Sequence, residues 1–245
     1  LGYIVRNLNL KKILIKEIKL KKNIKLIKNQ KIKNITNSND FVLAEGTSIN
    51  FKSSFLVAAD GKNSFVRKIN KTPTYNKIYP HKALVINFNH TKNHSGTAHE
   101  LFYKKGPLAI LPMIKKNRNF YTSSLIWSNE ISFVDSLFNT KKEILISVLE
   151  EKISDFVGEI SDVLDTQVFN LSAHINTRFY DERTVYLGDA AHSLHPIAGQ
   201  GWNLGIRDIK NLLKIVEKNI SLGMSLGNEN LCKDFHDSAY NDAFI

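Results

Sequence analysis

The sequence predicts an α/β fold in which a mostly antiparallel β-sheet is inserted between parts of a parallel-stranded domain. The segments FLVAAD at 55–60 and TVYLGD at 184–189 are short apolar strands, and each ends in an acid. Unbroken apolar strands are typical of parallel sheets covered on both faces. Between them, residues 75–129 hold several strand-like segments, which predict the second sheet.

The elements before the first apolar strand are a helix and a β-meander. Asn9 is predicted to cap a helix, because apolar side chains follow it at helical spacing to about Leu20. Four short segments then alternate between apolar and polar residues and are separated by turn residues: NIKLI, KIKNITN, FVLAE and TSINF.

The elements after the inserted strands are mainly helical. Periodic apolar residues predict helices at about 130–138 and 141–157, a strand at QVFNLSAHI and a helix from Gly201 to about Asn219. No apolar run approaches 18 residues, so we expect no membrane-spanning helix. Cys232 is the single cysteine, which excludes a disulfide framework within the chain.

A glycine-containing loop, GDAAHSLHPIAGQGWNLGIRD, joins the second apolar strand to the last predicted helix. The spacing of Gly199, Gly201 and Gly205 is not the G-x-G-x-x-G of a first dinucleotide-binding turn. A helix start nevertheless favours negative charge, and glycine allows a close backbone approach. With the strand-end carboxylate of Asp189, this loop suits a flavin with its polyol arm and anionic ring edge. A long structural loop, with glycines serving its turns, is the alternative.

These residues resemble a known enzyme family. The loop is similar to the second FAD motif of group A flavoprotein monooxygenases of the para-hydroxybenzoate hydroxylase type. Its form HPIAGQGWNLGIRD resembles the ubiquinone-biosynthesis hydroxylases in particular. LVAADGKNSFVRK resembles the DG motif of the same family, and ELFYKKGPLAILPM with SLIW resembles its substrate-domain strands.

The resemblance implies a discontinuous FAD-binding domain of the para-hydroxybenzoate hydroxylase type with an inserted, mostly antiparallel substrate domain. We therefore expect residues 1–74 to be FAD-binding, 75–180 to be the substrate-binding sheet and 181–245 to be FAD-binding again. The family's N-terminal strand and G-x-G-x-x-G unit are not found in this sequence. We expect the chain to be a fragment of a larger enzyme, and the resemblance does not decide whether the chain alone binds FAD or is active.

The resemblance also assigns roles to residues. Asp189 would bind the flavin ribityl chain, and Asp60 would serve the FAD pyrophosphate and NAD(P)H, with Arg67 supporting its loop. A local salt bridge is the alternative for Arg67. Pro196 would lie beside the flavin ring where oxygen reacts, and His195 would share this catalytic loop. The remaining expected cofactor-binding residues are Gly61, Gly188, Ala190, Gly199, Gln200, Gly201, Asn203 and Leu204.

The implied reaction is hydroxylation of the aromatic ring of a polyprenylated phenol in ubiquinone biosynthesis. NAD(P)H would reduce FAD, O2 would form a flavin C4a-hydroperoxide, and a dry site would protect it. The apolar GPLAILP strand would form part of the dry wall, with ordinary core packing as its alternative. Other interpretations are a flavin hydroxylase of another aromatic substrate, and a non-catalytic remnant or scaffold of a ubiquinone-synthesis complex.

The charge and the histidines argue against nucleic-acid binding, which is the last alternative, and against metal binding. The net charge of +11 comes mostly from lysine rather than arginine, so we do not expect nucleic-acid binding. We expect a cytoplasmic protein, with peripheral attraction to the inner membrane surface or to a ubiquinone-synthesis complex as an addition. His192 and His195 lack companion ligands, so no metal is expected. His90 and His94 are expected in a solvent-exposed polar loop.

Overall fold

The computed structural model describes residues 4–114, 119–194 and 199–243. The chain divides into two units, each made of two segments. The first unit is Leu1–Leu26 with Tyr79–Leu171, and the second is Ile27–Ile78 with Ser172–Ile245. Two long strands, Thr74–His90 and Ile160–Asn176, run from one unit into the other.

The helices and strands follow the chain in this order: α1 (Asn7–Leu20), β1 (Ile32–Asn37), β2 (Val42–Gly46), β3 (Asn50–Ser53), β4 (Leu56–Ala58), α2 (Phe65–Ile69), β5 (Thr74–His90), β6 (His99–Tyr103), β7 (Gly106–Met113), β8 (Tyr121–Glu130), α3 (Ile131–Phe138), α4 (Lys142–Val157), β9 (Ile160–Asn176), β10 (Tyr180–Asp181), β11 (Thr184–Tyr186), β12 (His192–Ser193), α5 (Gln200–Ser221) and α6 (Glu229–Ala243).

The first unit contains an antiparallel sheet with strands in the order β9-β5-β8-β7-β6. Every second residue of these strands points to a face that packs on helices α3 and α4. Phe88, Leu125 and Leu149 are fully buried there. This apolar layer fixes the register of the strands, because a slip of one residue would expose it.

The second unit combines two small sheets. Strands β1, β2 and β3 form an antiparallel meander, and the other sheet has the order β10-β11-β4. In that sheet β4 and β11 are parallel, with Val57 opposite Val185. The fully buried Tyr186 of β11 places its hydroxyl 2.7 Å from Thr72 and 3.0 Å from the Asn70 amide, which ties the end of α2 to the strand.

The predicted fold class is confirmed as α/β with an antiparallel sheet, and most predicted elements are present. The segment NIKLI is not a strand, and the first helix begins at Asn7 with Arg6 as its cap position, so Asn9 is not the cap. Strand β4 is shorter than FLVAAD, and Val57 is 40% exposed rather than covered on both faces. Helix α6 was not predicted.

The histidine expectation is wrong for His90. This residue ends β5 and is fully buried, with its ring nitrogens 3.1 Å from the Val157 carbonyl and 2.9 Å from the Ser123 hydroxyl. The two ring contacts let a polar side chain occupy the interior. The expected assignment of 1–74, 75–180 and 181–245 to cofactor and substrate binding stays a prediction. Among the described residues, no helix is long and apolar enough to cross a membrane.

Candidate functional site

Two loops of the second unit follow the carboxyl ends of the parallel strands β4 and β11. Because the strands pair in parallel, the loop after Ala58 and the loop after Tyr186 leave the sheet at the same edge. Ligands of open α/β sheets bind at this edge. The chain thus brings the two sequence motifs together although they are far apart in sequence.

Asp60 makes its contacts within the first loop. Its carboxylate accepts hydrogen bonds from the backbone N–H groups of Phe65 (2.7 Å) and Val66 (3.2 Å), at the start of α2. The Ser64 hydroxyl accepts a third, from the N–H of Arg67 at 3.0 Å. Gly61 has φ +81°, a conformation that suits glycine in this turn. Asp60 therefore organises the loop, and its contact with FAD stays a prediction.

Arg67 links the first loop to the second. Its guanidinium donates to the carbonyls of Lys62 (2.6 Å) and Ala190 (2.9 Å) and lies 3.1 Å from the His174 ring. These partners differ from the loop carboxylate of the alternative interpretation. The supporting role that the resemblance implies agrees with this geometry, since one side chain holds both loops.

His174 is a neutral partner of Arg67. Burial lowers its pKa from 6.5 to about 4, and the positive charges of Arg67 and Lys62 add to the effect. The neutral ring can accept a hydrogen bond from the guanidinium at Nε2.

The second loop presents Asp189 between fixed neighbours. Gly188 has φ +56°, and Ala190 is fully buried. The Ala190 carbonyl accepts from Arg67 and from the Asn176 amide at 3.1 Å. Asp189 itself is exposed, and its carboxylate makes no hydrogen bond with any residue that the structure describes. A hydroxyl-rich ligand arm could therefore bind it.

The start of α5 is open as far as the described residues show. Gly199 occupies the cap position with φ +62°, and none of the described side chains caps the helix there. A Cβ placed on Gly199 or Gly201 would meet nothing within 4 Å among the described atoms. Gln200 and Asn203 are exposed, whereas the Leu204 side chain is buried. The first N–H groups of a helix lack partners within it and favour negative charge.

The two residues expected to be catalytic, His195 and Pro196, lie outside the described residues. Sequence reasoning also missed three side chains that support the second loop: His174, Asn176 and Asp208. Asp208 carried a signal, because Leu204, Asp208 and Leu212 fall on one buried face of α5. A charged residue on the apolar face of an amphipathic helix calls for a partner.

The other face of the sheet in the first unit carries a row of apolar side chains. Ile126 lies opposite Val85 and Ala109, and Ser124 lies opposite Leu111 on the same face. Most of these side chains are only half-buried, unlike the helix-covered face. In the GPLAILP strand, Leu108 and Ile110 pack in the core while Ala109 and Leu111 face the other way. Core packing is thus present, and a part in a dry wall stays a prediction.

The residues of the second unit fit a flavin. The exposed Asp189 carboxylate can accept hydrogen bonds from ribityl hydroxyls. The start of α5, where no described side chain caps the helix or fills the space at two glycines, can approach an anionic ring edge. Comparison with known families decides the matter: residues 10–221 match the family described as an FAD binding domain. The chain belongs to this FAD-binding family.

The relatives of this FAD-binding chain include enzymes named for ubiquinone chemistry. It is 34% identical over 185 residues to the ubiquinone hydroxylase UbiL of Rhodospirillum rubrum, covering 76% of this chain and 42% of that protein. It is 23% identical to the ubiquinone hydroxylase UbiM of Neisseria meningitidis, covering 96% of this chain and 50% of that protein. The chain thus spans half or less of these two relatives' length.

Solved structures of FAD-dependent monooxygenases share the fold. PqsL of Pseudomonas aeruginosa, described as a probable FAD-dependent monooxygenase, has a TM-score of 0.76 at 18% identity, over 96% of this chain and 66% of that chain. The p-nitrophenol 4-monooxygenase PnpA of Pseudomonas putida has a TM-score of 0.72 at 15% identity, over 98% of this chain and 63% of that chain.

Proposed function

We propose that the protein containing this chain is an FAD-dependent monooxygenase that hydroxylates the aromatic ring of a polyprenylated phenol in ubiquinone biosynthesis. The observation that carries the proposal is the fixed loop around Asp189 beside the open start of α5. The names of the two hydroxylase relatives support the substrate class. FAD, when bound, would take electrons from NAD(P)H and activate O2.

The residues of the second unit have distinct tasks in this proposal. Asp189 accepts hydrogen bonds from the ribityl hydroxyls, and the backbone N–H groups at Gln200 and Gly201 stabilise negative charge on the reduced ring. Asp60 and Arg67 keep the two loops in place, since their hydrogen bonds end on backbone groups of these loops. His195 and Pro196 stay in the proposal as catalytic-loop residues.

The sheet of the first unit has a separate task. Its half-buried row of Val85, Ile126 and Ala109 offers an apolar surface to an aromatic ring, with the Ser124 hydroxyl near it in the next row. An apolar surface of this kind would also keep water away from a ring bound to it.

Activity of the whole protein tests the proposal. We expect the purified protein to carry a flavin, to oxidise NAD(P)H faster when a short-chain prenylated phenol is present, and to place isotopically labelled oxygen from O2 on the ring. Oxidation stimulated only by a water-soluble phenol would favour a hydroxylase of another aromatic substrate. If the purified protein carries no flavin and does not oxidise NAD(P)H, the result would favour the non-catalytic scaffold.

The position of the protein at a membrane is a second part of the proposal. None of the 14 residues of α1 is buried, and Leu8, Ile13 and Leu20 are each more than half exposed. Its cationic side chains include Lys12, Lys16 and Lys19, and Glu17 is its single acid. A basic helix with exposed apolar side chains suits the surface of an anionic membrane.

Vesicle binding tests this association. Replacing Lys12, Lys16 and Lys19 by glutamine is expected to weaken binding to phosphatidylglycerol vesicles about a hundredfold, at about 1 kcal/mol for each lysine. The control replaces Lys210, Lys214 and Lys218 of α5, which removes equal charge and is expected to change binding much less. Equal losses in both variants, or equal binding to uncharged vesicles, would contradict a specific role for α1.

A further inference from the structure

Asp208 is a buried carboxylate that reaches from α5 to the second loop. It is fully buried, and its Oδ2 accepts hydrogen bonds from the N–H of Gly188 at 3.0 Å and from Nε2 of His192 at 2.8 Å. His192 is only 2% exposed. The other oxygen, Oδ1, has no partner among the described residues. Removing a carboxylate from water costs desolvation free energy, and the hydrogen bonds from these two donors offset part of that cost.

The two residues that donate to Asp208 lie on either side of Asp189 in the chain. Gly188 precedes Asp189 by one residue, and His192 follows it by three. Between them, Arg67 and Asn176 both donate to the carbonyl of Ala190. The loop is thus held on both sides of Asp189, while the Asp189 carboxylate itself stays exposed.

The backbones of α5 and the loop also approach each other closely beside Asp208. A Cβ on Gly205, one turn before Asp208, would lie 3.6 Å from the Cα of Gly188. Two glycines therefore set the spacing, and the carboxylate of Asp208 sets the orientation. The same helix carries the open start at Gly199, so one rigid element connects the two predicted cofactor contacts.

We propose that Asp208, acting through Gly188 and His192, is a positioning residue that fixes Asp189 relative to the start of α5 for flavin binding. The inference rests on the proposed function. Without the acceptor, the N–H of Gly188 and the ring of His192 lose their shared partner, and the loop can move away from the helix. Loss of this acceptor is therefore expected to lower the affinity for the cofactor as well as the stability of the fold.

The test compares Asp208→Leu, Asp208→Asn and the control Leu212→Ala in the whole protein. Leu212 is 8% exposed on the same face of α5, one turn further on, and its apolar side chain packs in the core and cannot hydrogen-bond the loop. Each protein is measured for Tm, for FAD affinity by flavin fluorescence, and for amide hydrogen exchange of residues 186–194 without flavin.

We expect Asp208→Leu to weaken FAD affinity at least about tenfold and to speed exchange in the loop. Asp208→Asn keeps an acceptor for Gly188 and is expected to stay within about threefold of the original affinity. Leu212→Ala is expected to lower Tm with affinity and loop exchange unchanged. If Asp208→Leu lowers only Tm, like the control, Asp208 is a folding residue and the proposal is overturned.

A second pair of variants keeps the test decisive if Asp208→Leu does not fold. His192→Gln retains a donor for Asp208, whereas His192→Phe retains ring packing against Phe179, 5.3 Å away between centroids. We expect only His192→Phe to show fast loop exchange and weak FAD binding. If the unaltered protein binds no FAD, the proposed function fails. The exchange data then still decide whether Asp208 holds the loop.

Discussion

At the scale of single residues, His174 makes stability depend on pH. Burial, with Arg67 and Lys62, lowers its pKa from 6.5 to about 4. The unfolded chain then binds a proton below about pH 6.5 while the folded protein does not. The stabilising contribution is complete above that pH and is lost as the pH falls towards 4.

Replacement of His174 by glutamine tests this dependence. Gln can still accept from Arg67 but does not titrate, so denaturant unfolding should show a shallower loss of stability between pH 6.5 and 4. Burial also lowers the pKa of His90 and of His236. The free energy of unfolding of the variant should therefore still depend on pH, but less steeply. Identical pH profiles for the two proteins would contradict the assignment.

Cys232 is expected to be chemically inert in the folded protein. The side chain is 1% exposed, and burial raises the pKa of its thiol to about 12. Since the thiolate is the reactive form, a disulfide reagent at about pH 8 should label it only after denaturation. Rapid labelling of the native protein would show that α6 opens or that the thiol is accessible.

At the scale of elements, the contact of α5 with the second loop depends on a small residue at Gly205. An alanine Cβ there would lie at ordinary contact distance, 3.6 Å from Gly188. Alanine also favours a helix by about 1 kcal/mol over glycine. Gly205→Ala is therefore expected to keep or raise stability, and Gly205→Leu to push the loop away and weaken FAD binding.

Denaturant unfolding and flavin titration of both variants check this prediction. The informative comparison is between alanine and leucine, because both favour helix and differ mainly in size. Equal FAD affinity in Gly205→Leu and the unaltered protein would mean that the close approach does not matter for the cofactor.

Periodicity predicted the helices and strands that have strong apolar patterns. It failed for a segment whose structure depends on pairing with another strand. Helix α5 and strands β5 to β8 follow directly from such patterns. NIKLI alternates like β1 but pairs with no strand in the described part of the chain, so its alternation produces no strand. Helix α6 has an apolar face of Leu231, Phe235 and Ala239. It was not predicted because many of its polar residues, such as asparagine and aspartate, are weak helix formers.

At the scale of the whole molecule, the sequence motifs located both loops of the candidate site but not what holds them. Asp189 and the glycines are recognisable because they lie in one contiguous motif, GDAAHSLHPIAGQGWNLGIRD. The partner of Arg67 at Ala190 lies 123 residues away, and Asn176 and Asp208 act through tertiary contacts of the same kind. Such contacts depend on how strands β4, β9 and β11 are placed, which local patterns do not encode.

The central claim is that Asp189, held in its loop, binds the sugar-alcohol arm of FAD. The most direct measurement is FAD affinity of the whole protein with Asp189→Ala, beside the control Asp40→Asn, another exposed acid of the same unit. We predict at least about a tenfold loss for Asp189→Ala and no change for the control. Unchanged FAD affinity in Asp189→Ala would contradict the claim.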